Sequence, residues 1–325
     1  MSIAIPHAHS EYNHNHTRNS ESVITSTPTP TKTGTQNRKA QFIFTNNQEN
    51  SRNSTALPPR PHPEMPPKHV VFDVVGTCVS FTAYYSKINA TIGPKLNKYN
   101  INAQAFGYAW MTAAELEFTF LSISSRYKPY KTIFAALFYR TLHMMGVPLP
   151  AQKTEFTDEE RDECIRGYAE LELRDGLEEC FATLRSAGFT VWCLTTGDIA
   201  RVRGYFTRGG VDMPIENFIT CDSTGVAKPA LASYSPALER FGEGEERWFA
   251  AAHMWDVSAA VKAGFRGAYC TVYEEYACEE VFDEEMEVVE GSLAEMAKGI
   301  VRKTVGWVGG GWRSVEEGGR VRSPG

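Results

Sequence analysis

No Cys-x-x-Cys pair occurs among the seven cysteines, at 78, 164, 180, 193, 221, 270 and 278. That spacing excludes a zinc ribbon, gives no disulfide framework, and points to a reducing compartment, so a cytoplasmic setting is expected. Long apolar runs are also missing: the strongest, Ile133 to Phe138, falls far short of the roughly 20 residues needed to span a bilayer. The opening MSIAIPHAHSEYN has no basic segment leading into an apolar stretch, so no secretory leader is expected. Positive charge is in deficit, with 33 Lys and Arg against 39 Asp and Glu for a net −6. A nucleic-acid partner therefore has no electrostatic support, a membrane partner is not expected, and a small-molecule partner is. A homodimer is compatible with everything in the sequence.

What is present is a chain of 325 residues, 42% hydrophobic, long enough for one domain with an insertion. Residues 1–64 are Ser, Thr, Asn, Pro and His-rich, with STPTPTKT and PPRPHPEMPP as blocks, and hold too little apolar surface to offset chain ordering. They are expected to form a disordered polar tail, in which His7, His9, His14 and His16 are spaced for weak capture of a soft metal ion. This tail has six basic and four acidic residues, leaving residues 65–325 with 27 basic and 35 acidic, a net −8. Residues 301–325, with WVGGGW and SVEEGGRVRSPG, read as a loose Gly-rich end.

Between these ends, Val70-Val71-Phe72 predicts a buried strand closing on Asp73. Further short apolar runs follow at Val191 to Leu194, FIT at 218–220, WFAAA at 248–252 and GAYCT at 267–271. None alternates, which favours parallel strands covered on both faces. LRDGLEECFATLRSAG repeats Leu177, Phe181 and Leu184 at helical spacing and stops at Gly188. About 110 residues separate the first two strands, too many for one crossover, and AFGYAWMTAAELEFTFLSIS and KTIFAALFYRTLHMMG within them read as helices with Met144 and Met145 in their core. The fold class is α/β: a doubly wound parallel sheet from residues 65–82 and 169–300, with a helical cap over residues 83–168. Residues 274–295 hold ten acids and no Lys or Arg, with Val281, Phe282, Met286, Val288 and Val289 between them, a pattern read as a helix packed on the body.

Ligands of such sheets bind beyond the strand C-terminal ends, which is where the chemistry-bearing residues fall. Asp73 is followed by Gly76 and Thr77. LTTGD places Thr195 and Thr196 after a strand, to hold a negative oxygen, with Thr196 also suited to cap a helix near Asp198. Lys228 in GVAKPALASY can orient a carboxylate, while His253 and Asp256 in AAAHMWDVSAAVKAG supply a base and a second acid.

In this order, FDVVGT, LEFTFL, LTTG, AKPALASY and HMWDVSAAVKAG, from about Lys68 to Met296, resemble the haloacid dehalogenase-like hydrolase superfamily, and within it the type II (S)-2-haloacid dehalogenase branch. The resemblance implies Asp73 as nucleophile, Thr77 and Thr195 beside it, Lys228 paired to the acidic centre, Tyr234 in the substrate pocket and Asp256 as the final aspartate. It also brings departures. Phosphatases of the superfamily carry a second aspartate, an acid and part of the Mg²⁺ centre, where this chain has Val75. The dehalogenases carry an aromatic hydroxyl there, and an arginine clamp for the substrate carboxylate where this cap reads Met111 or Thr112. Ala251 stands for a serine and His253 for an asparagine, whereas Trp255 fits. Arg126 is a candidate replacement anion binder.

The function these features predict is a dehalogenase-like hydrolase forming a covalent aspartyl ester with a small organic electrophile other than a standard 2-haloacid, of a kind suited to specialised metabolism. Catalytic roles go to Asp73, Thr77, Thr195, Lys228, His253 and Asp256. Substrate contacts go to Val75, Thr196, Tyr234, Trp255 and Arg126. No cofactor is expected. A phosphatase, which alone would bring in Mg²⁺, and a catalytically weak binding or regulatory protein are the alternatives.

Overall fold

The computed structural model describes residues 66–305. The polar N-terminal segment with its four histidines, and the Gly-rich end beyond residue 305, lie outside the described residues. The sheet strands are β1 (Lys68–Asp73), β4 (Phe189–Thr195), β5 (Phe218–Thr220), β6 (Glu246–Ala251), β7 (Arg266–Cys270) and β8 (Val288–Glu290), and a separate two-stranded ribbon joins β2 (Val79–Ser80) to β3 (Glu172–Leu173). The sheet order is β5-β4-β1-β6-β7-β8, parallel throughout. β1 is central, pairing Val71 with Trp192 on one side and with Phe249 on the other.

β1 is buried on both faces, as its unbroken apolar run predicts. Val70 and Phe72 enter one core with Phe181, Leu184 and Ile300, and Val71 enters another with Phe249, Val257 and Tyr269. Each fully buried side chain of this size contributes roughly 1.5–3 kcal/mol. The helices of the two layers are α7 (Leu177–Ser186), α8 (Ile199–Gly209), the short α9 (Ser235–Leu238), α10 (Met254–Ala263) and α11 (Leu293–Val305). The last continues past residue 300, where a loose end was expected, because the amphipathic repeat that buries Met296 and Ile300 runs on into Val301.

The cap comprises α1 (Thr82–Asn97), α2 (Ala103–Ile123), α3 (Tyr130–Ala136), α4 (Phe138–Met144), α5 (Leu149–Glu155) and α6 (Asp158–Ala169). Asn102 starts α2 by accepting from the N–H groups of Gln104 and Ala105, and Thr157 with Glu160 closes a reciprocal capping box on α6. The segment read as one helix from Lys131 is two, parted at Leu137. Met144 is solvent-exposed, and only Met145 packs on the core. The acidic stretch 274–295 is likewise not one helix: Val288 pairs with Ala268 as the edge strand, and Phe282 and Met286 cover the sheet from a loop.

Candidate active site

β1 delivers Asp73 to the middle of the sheet's C-terminal edge, and the turn behind it narrows the space. Gly76 has φ +93°, open to glycine at little cost, and a Cβ there would overlap the His253 ring. Arg174, just past β3, fixes this turn by donating from Nε and Nη2 to the Gly76 carbonyl at 3.0 and 2.8 Å. Thr77 accepts from the Ala252 N–H at 2.8 Å and donates to Asp73 Oδ2 at 2.7 Å. His253, the residue before α10, places Nδ1 3.3 Å from the same oxygen. The other oxygen, Oδ1, receives Lys228 Nζ at 2.8 Å.

Lys228 also donates to Asp256 Oδ2 at 2.6 Å and to the Leu194 carbonyl at 3.3 Å, while the Tyr234 hydroxyl donates to Asp256 Oδ1 at 2.5 Å. Burial works against a charged Asp73, but the Lys228 ammonium and His253 outweigh it and hold the carboxyl well below the usual range. Lys228 is raised, because Asp256 and Asp73 overcome the burial that would discharge it. His253 is raised too, its bond to Asp73 and the surrounding acids overcoming burial. Asp256 goes the other way: burial dominates and lifts its carboxyl.

Asp73 opens into a cavity of about 380 Å³ between sheet and cap, with Val75, Thr196, Lys228, His253 and Trp255 on its walls. The cap contributes Thr112, Glu115, Tyr130 and Tyr168, and an open cleft of about 1340 Å³ shares Tyr108, Trp255, Tyr273 and Glu274 with it. Glu115 was not anticipated. Its carboxyl is pushed up to about 7, foremost by burial. The signal for it was an acid one turn after Met111 on the stripe that buries Trp110, Ala114 and Phe118.

The haloacid dehalogenase-like hydrolase family model matches residues 67–264, more than half of the chain. The chain belongs to this family. Its sequence is 26% identical over 106 residues to (S)-2-haloacid dehalogenase 4A of Burkholderia cepacia, a stretch spanning 32% of this chain and 46% of that relative, so about half of the relative is matched. Its structure is similar to the L-2-haloacid dehalogenase of Xanthobacter autotrophicus, at 21% identity and TM-score 0.56 over 73% of this chain and 99% of that one. It is also similar to the L-2-haloacid dehalogenase RSc1362, at 16% identity and TM-score 0.60 over 73% and 99% of the two chains. At these identities the structural likeness speaks for the fold.

This haloacid dehalogenase-like hydrolase is thus an enzyme of the class that places an aspartate nucleophile beneath a cap. Of the residues singled out in its sequence, Asp73, Thr77, Lys228, His253 and Asp256 come together, and Val75, Thr196 and Trp255 line the cavity. Three expectations, those for Tyr234, Thr195 and Arg126, need correction. Tyr234 is fully buried, donates to Asp256 and is not on the cavity wall. Asp256, fully buried with both oxygens taken, pairs with Lys228 as the second acid of the centre. Thr195 accepts from the Gly197 N–H at 3.1 Å and is not among the partners of Asp73. Arg126 is exposed, bonded to Ser124 in a cap loop, and away from the cavity. The α8 cap is Asp198, which leaves Thr196 free to face the cavity.

Mg²⁺, which the phosphatase alternative requires, fits these residues poorly. The Lys228 ammonium fills the space between Asp73 and Asp256, and Val75 brings no carboxylate. Among the described residues no group of three or more His, Cys, Asp or Glu is disposed to hold a metal ion.

Proposed function

We propose that this hydrolase cleaves a small organic electrophile other than a standard 2-haloacid through a covalent ester on Asp73. The observation carrying this reading is Asp73 facing the cavity, steadied by Lys228, Thr77 and His253, with Val75 where an acid would serve a phosphate ester. An Asp73 oxygen attacks the carbon, the bond to the leaving group breaks with its electron pair, and a neutral ester results. Lys228, held by Asp256, keeps the carboxylate ionised and oriented before attack.

Esterification also alters His253. The Asp73 charge that raises its pKa is gone in the ester, so its pKa falls, the imidazolium releases its proton to solvent, and the neutral imidazole is available to accept another. It then takes a proton as water adds to the ester carbonyl carbon. Collapse of that adduct breaks the bond from the Asp73 carboxyl carbon to the substrate oxygen, the imidazolium returns its proton to that oxygen to release the alcohol, and the Asp73 acid loses its proton to solvent and is restored as carboxylate.

The test is a panel of halogenated acids, halogenated amides and amines, activated esters and phosphoesters, each with and without Mg²⁺, followed by intact mass and peptide mapping. The expected result is an adduct on Asp73 and, for Asp73→Asn, loss of both adduct and turnover by at least ~10³-fold. Full turnover in that variant, with deamidation excluded by mass, refutes the ester. Phosphate release that requires Mg²⁺ would favour the phosphatase instead.

A further inference from the structure

The charge pattern of the cavity, taken with Asp73 as its nucleophile, bears on what the rest of the substrate is. Asp73, Glu115 and Glu274 are the acids on its walls, and Lys228 and His253 the bases. Lys228 is committed to Asp73 and Asp256, and His253 to Asp73. No arginine lines the cavity among the described residues, so a substrate carboxylate would find no unspent positive charge. Glu274 is anchored through Oε2, which accepts from the Met254 N–H and the Tyr269 hydroxyl, each at 2.9 Å. Glu115 alone among these acids has no hydrogen-bond donor in the described residues, its surroundings acting on it through burial and distant charge.

Around it stand aromatic side chains: Tyr108, Tyr130, Tyr168, Tyr273 and Trp255. Ring faces attract cations, most strongly where water is excluded, and an acid close by adds direct pairing. A carboxylate in the same place would be repelled by Glu115 and Glu274.

We propose that the cavity selects an organic cation: a substrate whose electrophilic carbon meets Asp73 and whose ammonium group is held by Glu115 among the tyrosine and tryptophan side chains. The proposal rests on the nucleophile reading above for the position of the reacting carbon, but its recognition half stands on the cavity walls. Binding is pH-linked. Glu115, pushed up to about 7, must lose its proton to pair with the cation, so affinity falls as pH drops below neutrality. His253, facing the same space, gains charge in that direction and weakens cation binding further; Asp73, Lys228 and Glu274 are the other charged groups turned to Glu115.

Calorimetric titration of the full chain tests this with choline, a permanent cation, with its uncharged isostere 3,3-dimethylbutan-1-ol, and with 2-chloropropionate. At about pH 8 choline should bind about tenfold or more tighter than the isostere, with 2-chloropropionate weakest. Glu115→Gln should bring choline and isostere close to equal, and Glu115→Asp should keep part of the preference. Equal binding by the wild type, no measurable choline binding, tightest binding of 2-chloropropionate, or an unchanged preference in Glu115→Gln overturns the proposal. Should Glu115→Gln not fold, the wild-type profile decides: choline affinity is expected to fall several-fold from about pH 8 to 6, and a flat profile overturns the proposal. An Asp73 adduct with uncharged halides but no cation preference sinks this inference and leaves the nucleophile standing. Cation preference without an adduct from any charged or uncharged probe does the reverse.

Discussion

At the scale of single residues, the centre depends on one ammonium shared by two buried carboxylates. Replacing Lys228 with Met leaves Asp73 and Asp256 facing each other without the ammonium they share, and breaking such a buried pair from one side costs about 3–5 kcal/mol. Urea unfolding near neutral pH should show a loss of that order, and a loss under ~1 kcal/mol would mean the centre relaxes or takes in water. Glu115 gives a pH-dependent counterpart. Its folded value near 7 lies above the ordinary 4.5, so the folded chain holds an extra proton between them. Its stabilising contribution is therefore full below about pH 4.5 and is lost as pH rises through 7, by up to roughly 3 kcal/mol. Glu115→Gln should flatten that part of the stability profile, measured by chemical unfolding at a series of pH values. An unaltered slope would assign the proton to another group.

At the scale of elements, the short turn after β1 carries more than its length suggests. Gly76→Ala forces an unfavourable positive φ and a collision with His253, so a stability loss of at least ~1 kcal/mol is expected together with displacement of the imidazole. Thermal melts and the His253 titration in NMR read the two effects, and a normal His253 titration would show that the turn yields instead. Strand ends were legible in the sequence because Asp73 and His253 each follow an apolar run, while Lys228 is marked by the proline after it and Asp256 by its place three residues past His253. Element interiors and contacts were less so. Tyr234 looked like a pocket residue because its motif neighbours Lys228, yet the chain turns it beneath Asp256. Glu115 was passed over because its helix was read for a missing arginine, and a lone acid in an apolar stripe has no sequence partner to announce it. β2, β3 and β8, of two or three residues each, are too short to show a period.

At the scale of the whole molecule, the parallel sheet and inserted cap were legible from unbroken apolar runs and an overlong connection. The two-faced core follows from them. One packed cluster joins Val70 and Phe72 of the sheet to Trp110, Phe134 and Phe138 of the cap, so the two parts should melt together. Trp110 is fully buried, stacks on Phe134 with centroids 4.2 Å apart and donates to its carbonyl at 2.7 Å. Trp110→Ala should cost about 3–5 kcal/mol and still give a single calorimetric transition for residues 66–305, whereas a separate low-temperature transition would show an independently melting cap. The β2–β3 ribbon has a consequence of another kind. Val79 pairs with Leu173 and Ser80 with Glu172, so the chain leaves the sheet layer and returns to it at adjacent points. An insertion anchored this way can change in length without disturbing any register of the six-stranded sheet, because its two ends are already tied to each other before the chain reaches a sheet strand.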